Sequence, residues 1–224
     1  MLTHVLLDLD STIICSTSSH EPLDTESYNR VKHLEHHIMD DTYTVFERPH
    51  LQEFLDYLFA HYKVSVFTAS SKNYCLFIID KFILKKPERR IEFVFFSYHC
   101  NISKNKYKGN HKRISLLSND FELEHVFPLE STVLVDDIED WAKDQQHLVV
   151  NIKEYLIAEP LSHSDTELVT VMAQLEAKKD TDVDAKGTQS SKSPSSEAKE
   201  SDSKDSKDSK DSKDSKDSKD SKDS

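Results

Sequence analysis

The sequence predicts an α/β fold, in which a parallel sheet carries helices on both faces. Short apolar runs typical of buried strands, such as Val5–Leu7 and Ser131–Val135, alternate with segments of helical spacing over residues 1–177. Polar side chains come directly after these runs, as Asp8 and Asp136 do. Ligands of open α/β sheets bind at the carboxyl ends of the strands. These observations predict both the fold class and the edge of the sheet that carries the site.

The first strand is predicted over Leu2–Asp10, with two carboxylates at its end. Alternate residues of a strand share one face, so Asp8 and Asp10 can project into the same pocket. Two carboxylates held this close repel each other, and a divalent cation that prefers oxygen ligands, such as Mg²⁺, relieves the repulsion. Ser11 and Thr12 come next and also allow a plainer interpretation as a capped strand end, because Asp, Ser and Thr are common in turns.

Helices and strands continue to alternate between residues 25 and 84. The recurrence of Leu51, Leu55 and Leu58, for example, is the spacing of an amphipathic helix. The elements predicted here are a helix over 25–39 with Thr25 as its N-cap, a strand over Thr42–Phe46, a helix over 49–61, a strand over Val64–Phe67 and a helix over 72–84. The first of these helices carries His33, His36 and His37, but no cysteine or carboxylate pattern completes a zinc site there.

The second half of the chain repeats the alternation. The elements predicted here are a strand over Ile91–Tyr98, a basic loop over Cys100–Asn110, a short helix over Lys112–Leu117, strands over Ser131–Val135 and Leu148–Ile152, and a final helix introduced by a capping box of Ser164 and Glu167. The final helix places Leu168, Val171 and Leu175 on one face.

The chain divides into a folded domain, residues 1–177, and a low-complexity tail, residues 178–224. Apolar residues almost vanish from the tail, and from Ser203 onward it consists of Ser-Lys-Asp repeats. Such a segment buries too little apolar surface to offset the entropy lost on ordering, so the tail is predicted to be disordered.

The charge is unevenly distributed along the chain. The net formal charge is -12, yet residues 72–113 carry a net charge of +8. A basic segment can attract a polyanion. Between residues 104 and 113, however, Tyr107 is the one aromatic residue that could stack on a base. Nucleic acid is therefore not favoured as a partner.

Cysteine usage favours a reducing compartment. Cys15, Cys75 and Cys100 are odd in number and form no C-x-x-C pair. The chain starts without the basic segment and cleavage site of a signal peptide, and no stretch approaches the roughly 20 apolar residues of a membrane span. We therefore expect an intracellular protein, nuclear or cytoplasmic, that is neither secreted nor inserted in a membrane.

Polar residues from four places along the chain are predicted to meet at one edge of the sheet. They are Asp8 and Asp10 after the first strand, Thr68 after the strand Val64–Phe67, Lys112 at the short helix, and Asp136 with Asp137 after the strand Ser131–Val135. A carboxylate nucleophile, a metal, a hydroxyl donor and a lysine are the groups that phosphoryl transfer uses.

Four motifs, LLDLDSTI, VFTASSKNY, HKRISLL and VLVDDIEDW, resemble those of the haloacid dehalogenase superfamily. Within it they are similar to the phosphatases of the RNA polymerase II C-terminal domain, the NLI-interacting-factor homology group. The segment VFERPHLQEFLDYL also resembles that group, and short virus-encoded members have a similar length. The resemblance covers about residues 3–177 and implies a haloacid dehalogenase-like fold.

The resemblance implies a role for each matching residue. Asp8 would be the nucleophile that becomes an aspartyl-phosphate, and Asp10 would protonate the leaving oxygen and then activate water. Thr68 and Lys112 would hold phosphate oxygens, while Thr12 would brace the loop after the first strand.

The resemblance also implies a bound Mg²⁺. The residues implied as its holders are Asp8 and Asp137 through their carboxylates, Asp10 through its backbone carbonyl, and Asp136 as a ligand or a partner of the ligands. The sequence departs from the group's pattern, or matches it less directly, at two positions. Ser11 occupies a position where the group usually has Glu, Asp or Gln, and the assignment of Lys112 crosses a divergent loop in which Lys108 is the competing candidate.

The function predicted from these features is a Mg²⁺-dependent protein serine/threonine phosphatase, with the polymerase C-terminal domain as a candidate substrate. About 30 residues separate Thr12 from Thr42, too few for a large cap domain, so the site is expected to admit a phosphoserine or phosphothreonine peptide. The alternatives are a catalytically silent binding module of the same fold, and a phosphatase of small molecules or nucleic-acid ends.

Overall fold

The computed structural model describes residues 2–187 except Gly109, Asn110 and Asp140, and of residues 180–187 it describes the backbone alone. Its strands are β1 (His4–Leu7), β2 (Ile14–Ser18), β3 (His36–Met39), β4 (Tyr43–Glu47), β5 (Lys63–Phe67), β6 (Ile91–Phe95), β7 (Thr132–Asp136) and β8 (Val149–Asn151). Its helices are α1 (Thr25–Val31), α2 (Leu51–His61), α3 (Lys72–Ile78), α4 (Ser97–Lys106) and α5 (Glu167–Gly187). Two π-helical turns, Ile79–Ile83 after α3 and Leu116–Asp120, complete the main elements.

The central sheet has five parallel strands in the order β6-β5-β1-β7-β8. Leu7 at the end of β1 is in register with Val66 on one side and Val135 on the other. Asp8 therefore leaves the sheet at its centre, with the ends of β5 and β7 beside it. The predicted parallel sheet is confirmed.

Each face of the sheet packs against its own set of helices. Val5 and Leu7 belong to a core cluster that includes buried side chains of α2, α3 and α5. Leu6 points the other way and joins a second cluster with Cys100 of α4 and Leu117. This is the alternation expected of a strand buried on both faces. It confirms the prediction of helices on both faces.

A small insertion lies between β1 and α2. It consists of α1 and a three-stranded antiparallel sheet in the order β2-β4-β3. Val31 and Phe46 of the insertion pack with Tyr155 and Ile157 in a third core cluster. In the described part of the chain, the segment between β1 and α2 holds this small insertion and no large cap domain. The prediction of a fold without a large cap domain is therefore confirmed.

The predicted helix over 25–39 is wrong in its second half. α1 ends at Val31, and His36–Met39 forms β3 instead. His36 pairs with Phe46 across the small sheet, and their rings stack with centroids 5.0 Å apart. β3 forms a hairpin with β4, the next strand along the chain, and the turn residues Asp40 and Asp41 have positive φ values of 50° and 53°. This hairpin outweighs the local helical spacing. The three histidines therefore do not share a helix, because His36 and His37 lie on β3 and His33 lies in the turn before it.

Two boundaries between residues 91 and 120 also differ from prediction. β6 ends at Phe95, and residues predicted as the end of a strand and a basic loop form α4. The cause is a cap, since the His99 ring accepts a hydrogen bond from the Phe96 backbone N–H at 3.1 Å and starts the helix. The predicted short helix over Lys112–Leu117 begins later, at Ile114, and widens into the π-helical turn.

The helix caps are one residue away from their predicted positions. Asp24, not Thr25, accepts the capping hydrogen bond of α1 from the Ser27 backbone N–H. At α5 the Asp165 carboxylate accepts from the Glu167 backbone N–H, so the predicted capping box of Ser164 is wrong. α5 continues to Gly187, past the predicted domain boundary at residue 177. Residues 188–224, with the Ser-Lys-Asp repeats, lie outside the described residues, and their predicted disorder stays a prediction.

Candidate active site

Four charged side chains, three of them buried and one half-buried, form a cluster at the carboxyl edge of the central sheet. Lys112 Nζ lies 2.7 Å from Asp8 Oδ1 and 2.6 Å from Asp136 Oδ2. Carboxylate oxygens of Asp8, Asp136 and Asp137 lie within 4.8 Å of one another. The strands β1 and β7 run side by side, and their carboxyl ends bring these aspartates together.

The cluster holds more negative than positive charge, because three carboxylates share one ammonium. Burial raises the pKa of Asp136 and of Asp137, and the charge of Asp8 raises both further. Burial acts to lower the pKa of Lys112, but the carboxylates of Asp8 and Asp136 outweigh it and raise that pKa above its ordinary value. The excess of negative charge makes this a place that attracts a further cation.

The donor set of the cluster fits Mg²⁺. Its three carboxylates offer hard oxygen ligands, which this ion prefers. In the part of the chain that the structure describes, this is the one group of three or more His, Cys, Asp or Glu ligands at such proximity.

Asp10 has different partners from Asp8. Tyr74 Oη donates a hydrogen bond to Asp10 Oδ1 at 2.8 Å, and Ser70 Oγ donates to Asp10 Oδ2. Burial raises the pKa of Asp10, and these two hydrogen bonds oppose the rise. The carboxylate of Asp10 is thus held against the start of α3 and is not among the three clustered aspartates.

Thr68 is connected to Asp10 through hydroxyl groups. It is buried at the end of β5, the strand beside β1. Its Oγ1 donates to Ser70 Oγ at 3.0 Å and accepts from the Ser70 backbone N–H at 3.2 Å. The end of β5 and the end of β1 are therefore joined by a short hydrogen-bond chain.

Thr12 and Arg48 hold the loop that follows β1. Thr12 Oγ1 donates to Asp137 Oδ1 at 3.0 Å, which ties this loop to the end of β7. Arg48, fully buried, donates from Nη1 to the Thr12 carbonyl at 2.9 Å and binds Asp165 through Nε and Nη2. Its guanidinium also lies over the Tyr155 ring, 5.0 Å from the centroid. The loop is fixed from two sides.

The geometry favours Lys112 over Lys108 as the lysine of the site. Lys112 is 1% exposed and its Nζ contacts two of the clustered carboxylates. Lys108 is exposed and has a positive φ of 51° at the end of α4. An exposed side chain in that position does not replace the buried ammonium.

Sequence reasoning missed two groups that the structure places at the site. Neither Tyr74 nor Ser70 is predicted as a site residue from the sequence. Ser70 comes before α3, which begins at Lys72, and Tyr74 lies in the first turn of that helix. Both side chains bind Asp10, which lies at the end of a different strand, so no local pattern around either residue points to this partner.

A parallel α/β fold with a carboxylate cluster at the end of its central strand is typical of phosphatases of the haloacid dehalogenase type. The chain belongs to the family of NLI interacting factor-like phosphatases, which matches residues 3–184. The family predicted from the four sequence motifs is therefore confirmed.

Two viral relatives match most of the chain. A CTD phosphatase-like protein of Invertebrate iridescent virus 3 is 43% identical over 185 residues, which cover 78% of this chain and 96% of the relative. The corresponding protein of Invertebrate iridescent virus 6 is 37% identical over 172 residues, which cover 75% and 94%. This chain therefore spans nearly the full length of both relatives.

Among solved structures, the chain is similar to Fcp1, described as an essential RNA polymerase II CTD phosphatase. The TM-score is 0.46 at 17% identity, over 87% of this chain and 55% of the Fcp1 chain. Fission yeast Fcp1-R271A bound to beryllium fluoride gives 0.45 at 18% identity, over 83% and 54%. The chain spans about half the length of these Fcp1 chains.

Across the described residues, no helix combines the length and the apolar character that crossing a membrane requires.

Proposed function

We propose that the chain is a Mg²⁺-dependent protein serine/threonine phosphatase that works through an aspartyl-phosphate on Asp8. The observation that carries the proposal is the position of Asp8 at the end of the central strand, in contact with Lys112 and beside Asp136 and Asp137. This arrangement supplies a carboxylate nucleophile together with a cation for the phosphate it attacks.

Asp8 and Asp10 divide the chemistry between them. In the first step Asp8 attacks phosphorus, the bond from phosphorus to the seryl or threonyl oxygen breaks, and Asp10 gives that oxygen its proton. In the second step Asp10 takes a proton from water, the water oxygen attacks phosphorus, and inorganic phosphate leaves the restored Asp8 carboxylate. Ser70 and Tyr74 support this role because they hold both oxygens of Asp10 in place.

Lys112 and Thr68 are proposed to hold the oxygens of the transferring phosphate. The ammonium of Lys112 is buried, so its charge is little screened by solvent. The residues proposed to hold Mg²⁺ are Asp8, Asp136 and Asp137 through their carboxylates and Asp10 through its backbone carbonyl. When bound there, Mg²⁺ supplies positive charge to phosphate oxygens.

The proposed substrate is a protein or peptide that carries phosphoserine or phosphothreonine. The insertion after β1 is small, so no large domain of the described chain covers the carboxyl edge of the sheet. The names of the two viral relatives refer to CTD phosphatases, which makes the RNA polymerase II C-terminal domain the candidate we propose.

Ion pairs in the basic segment support a protein substrate over nucleic acid. Much of the positive charge between residues 72 and 113 is already matched by acidic neighbours. The pairs are Lys85 with Glu35, Lys86 and Arg89 with Asp56, Lys106 with Asp120, and Arg113 with Asp144. These pairs reduce the charge that is available to neutralise a nucleic-acid backbone.

The test is turnover of an aryl phosphate and of a phosphoserine peptide, with Mg²⁺ and with excess EDTA. We expect Mg²⁺-dependent turnover of both, loss of turnover in Asp8→Asn, and a fall of about 10²–10⁴-fold in Asp10→Asn. Asp80→Asn, at a side chain that is 71% exposed, is the control and should match the wild type. Full turnover in EDTA, or near-normal turnover by Asp8→Asn, would overturn the proposal.

A further inference from the structure

The backbone of Lys112 lies outside regular structure, and one side chain holds it there. Residues 112 and 113 stand between α4 and the helical turn that begins at Ile114. Gln145, in the loop between β7 and β8, donates from Nε2 to the Lys112 carbonyl at 2.8 Å. Its Oε1 accepts from the Ile114 backbone N–H at 3.0 Å. The side-chain amide therefore bonds the segment 112–114 much as a neighbouring strand would.

Gln145 is itself held rigidly. Its side chain is 2% exposed, and its backbone N–H donates to the Ala142 carbonyl at 2.8 Å. Trp141 and Leu148, on either side in the sequence, pack in the same core cluster as Ile114. A buried amide with both ends bonded between packed neighbours has one orientation.

We infer that Gln145 is a positioning residue that fixes Lys112 for the transferring phosphate. The inference rests on the proposed function. Lys112 Nζ lies 2.7 Å from Asp8 and 2.6 Å from Asp136, and both contacts need the lysine backbone to stay where Gln145 holds it. A displacement of about 1 Å at a reacting centre can cost about 100-fold in rate.

A second contact joins the same two segments, so Gln145 is not needed merely to attach one segment to the other. Arg113 binds Asp144 through two hydrogen bonds of 2.7 and 2.5 Å at the surface. This ion pair already ties the loop after β7 to the segment before the helical turn. Gln145 instead bonds the residues on either side of Arg113, one of which is the lysine of the site.

The first experiment compares Gln145→Met with Gln146→Met. Methionine has the length of glutamine but makes neither hydrogen bond, and Gln146 is an exposed neighbour of the same type. We expect kcat for an aryl phosphate to fall about 10- to 100-fold in Gln145→Met, with a smaller change in KM, and to stay unchanged in Gln146→Met. A Gln145→Met enzyme with wild-type kcat would overturn the inference.

A double-mutant cycle with Lys112→Ala tests whether the effect passes through the lysine. Because Gln145 acts on Lys112, we expect Gln145→Met to cause no further loss once Lys112 is alanine. An equal fold-loss with and without Lys112 would show a purely structural role and overturn the inference. If Gln145→Met is too unstable to assay, Gln145→Glu, which keeps an acceptor for Ile114, takes its place in the cycle.

A measurement without turnover keeps this inference separate from the proposed function. The ammonium protons of Lys112 should exchange slowly with water while they are bound between Asp8 and Asp136, and so give an observable ¹⁵N–¹H signal by NMR. We expect this signal in the wild type and in Gln146→Met, and its loss in Gln145→Met. A signal that persists in Gln145→Met would overturn the inference, whereas an inactive wild type would count against the phosphatase proposal alone.

Discussion

The guanidinium of Arg48 binds the carboxylate of Asp165 through hydrogen bonds of 2.8 and 2.9 Å, although 117 residues separate the two in sequence. Arg48 has no solvent exposure and Asp165 has 15%. The same guanidinium donates to the Thr12 carbonyl, so this pair connects the segment before α5 to the loop that carries the proposed nucleophile. This contact therefore joins parts of the fold as well as the loop of the candidate site.

Arg48→Met should therefore destabilise the protein strongly. It leaves a partly buried carboxylate on Asp165 without its partner, which typically costs about 3–5 kcal/mol. Urea unfolding should show this loss in the free energy of unfolding. Lys153→Met is the control, because its pair with Glu159 is 3.8 Å long and exposed, and should change stability by less than about 1 kcal/mol. Losses of similar size in the two variants would contradict the importance of the buried pair.

Asp137→Asn should stabilise the metal-free protein. The change removes one negative charge from a cluster with too few cations and keeps an oxygen that can accept from Thr12. In EDTA we expect a higher melting temperature, by about 2–4 °C for each kcal/mol gained. We also expect the stabilisation by added Mg²⁺ to shrink. The exposed Glu124→Gln serves as the control, and a lower melting temperature for Asp137→Asn in EDTA would disprove the charge argument.

Tyr74→Phe should lower turnover less than Asp10→Asn does. The variant removes the hydroxyl that donates to Asp10 but keeps the ring beside Tyr43, whose centroid lies 6.1 Å away. Ser70 still holds the other oxygen of Asp10, so we expect kcat for an aryl phosphate to fall by about 10-fold, below the effect of losing the acid. Tyr98→Phe, at a ring that is 62% exposed, should have no effect. Unchanged kcat in Tyr74→Phe would show that this hydroxyl does not position Asp10.

Lys112→Ala should lower both turnover and stability, whereas Lys108→Ala should leave turnover of an aryl phosphate unchanged. Removing the buried ammonium of Lys112 leaves Asp8 and Asp136 to repel each other, so both kcat and stability should fall, kcat by about 10²–10³-fold. Added Mg²⁺ should restore part of the stability. Lys108→Ala, at the surface, should keep wild-type turnover of an aryl phosphate. Loss of turnover in Lys108→Ala together with normal turnover in Lys112→Ala would assign the phosphate-binding role to Lys108 instead.

The sequence alone determined the central sheet and the place of the site. The strand around Val5–Leu7 could be predicted because its apolar pattern is local and continuous. The aspartates that follow it could be placed because parallel strands all end at the same edge of a sheet. None of these inferences needed a contact between distant segments.

Tertiary structure alone decided the rest, and the reason is that the deciding contacts join residues far apart in sequence. The strand His36–Met39 is an exception, because it pairs with β4, the next strand along the chain, and this hairpin outweighs the helical spacing of residues 25–39. Tyr74 reaches Asp10 across 64 residues, and Gln145 reaches the Lys112 carbonyl across 33. The order of the strands in the sheet decides which distant side chains meet. The sequence around Tyr74 or Gln145 does not predict that order.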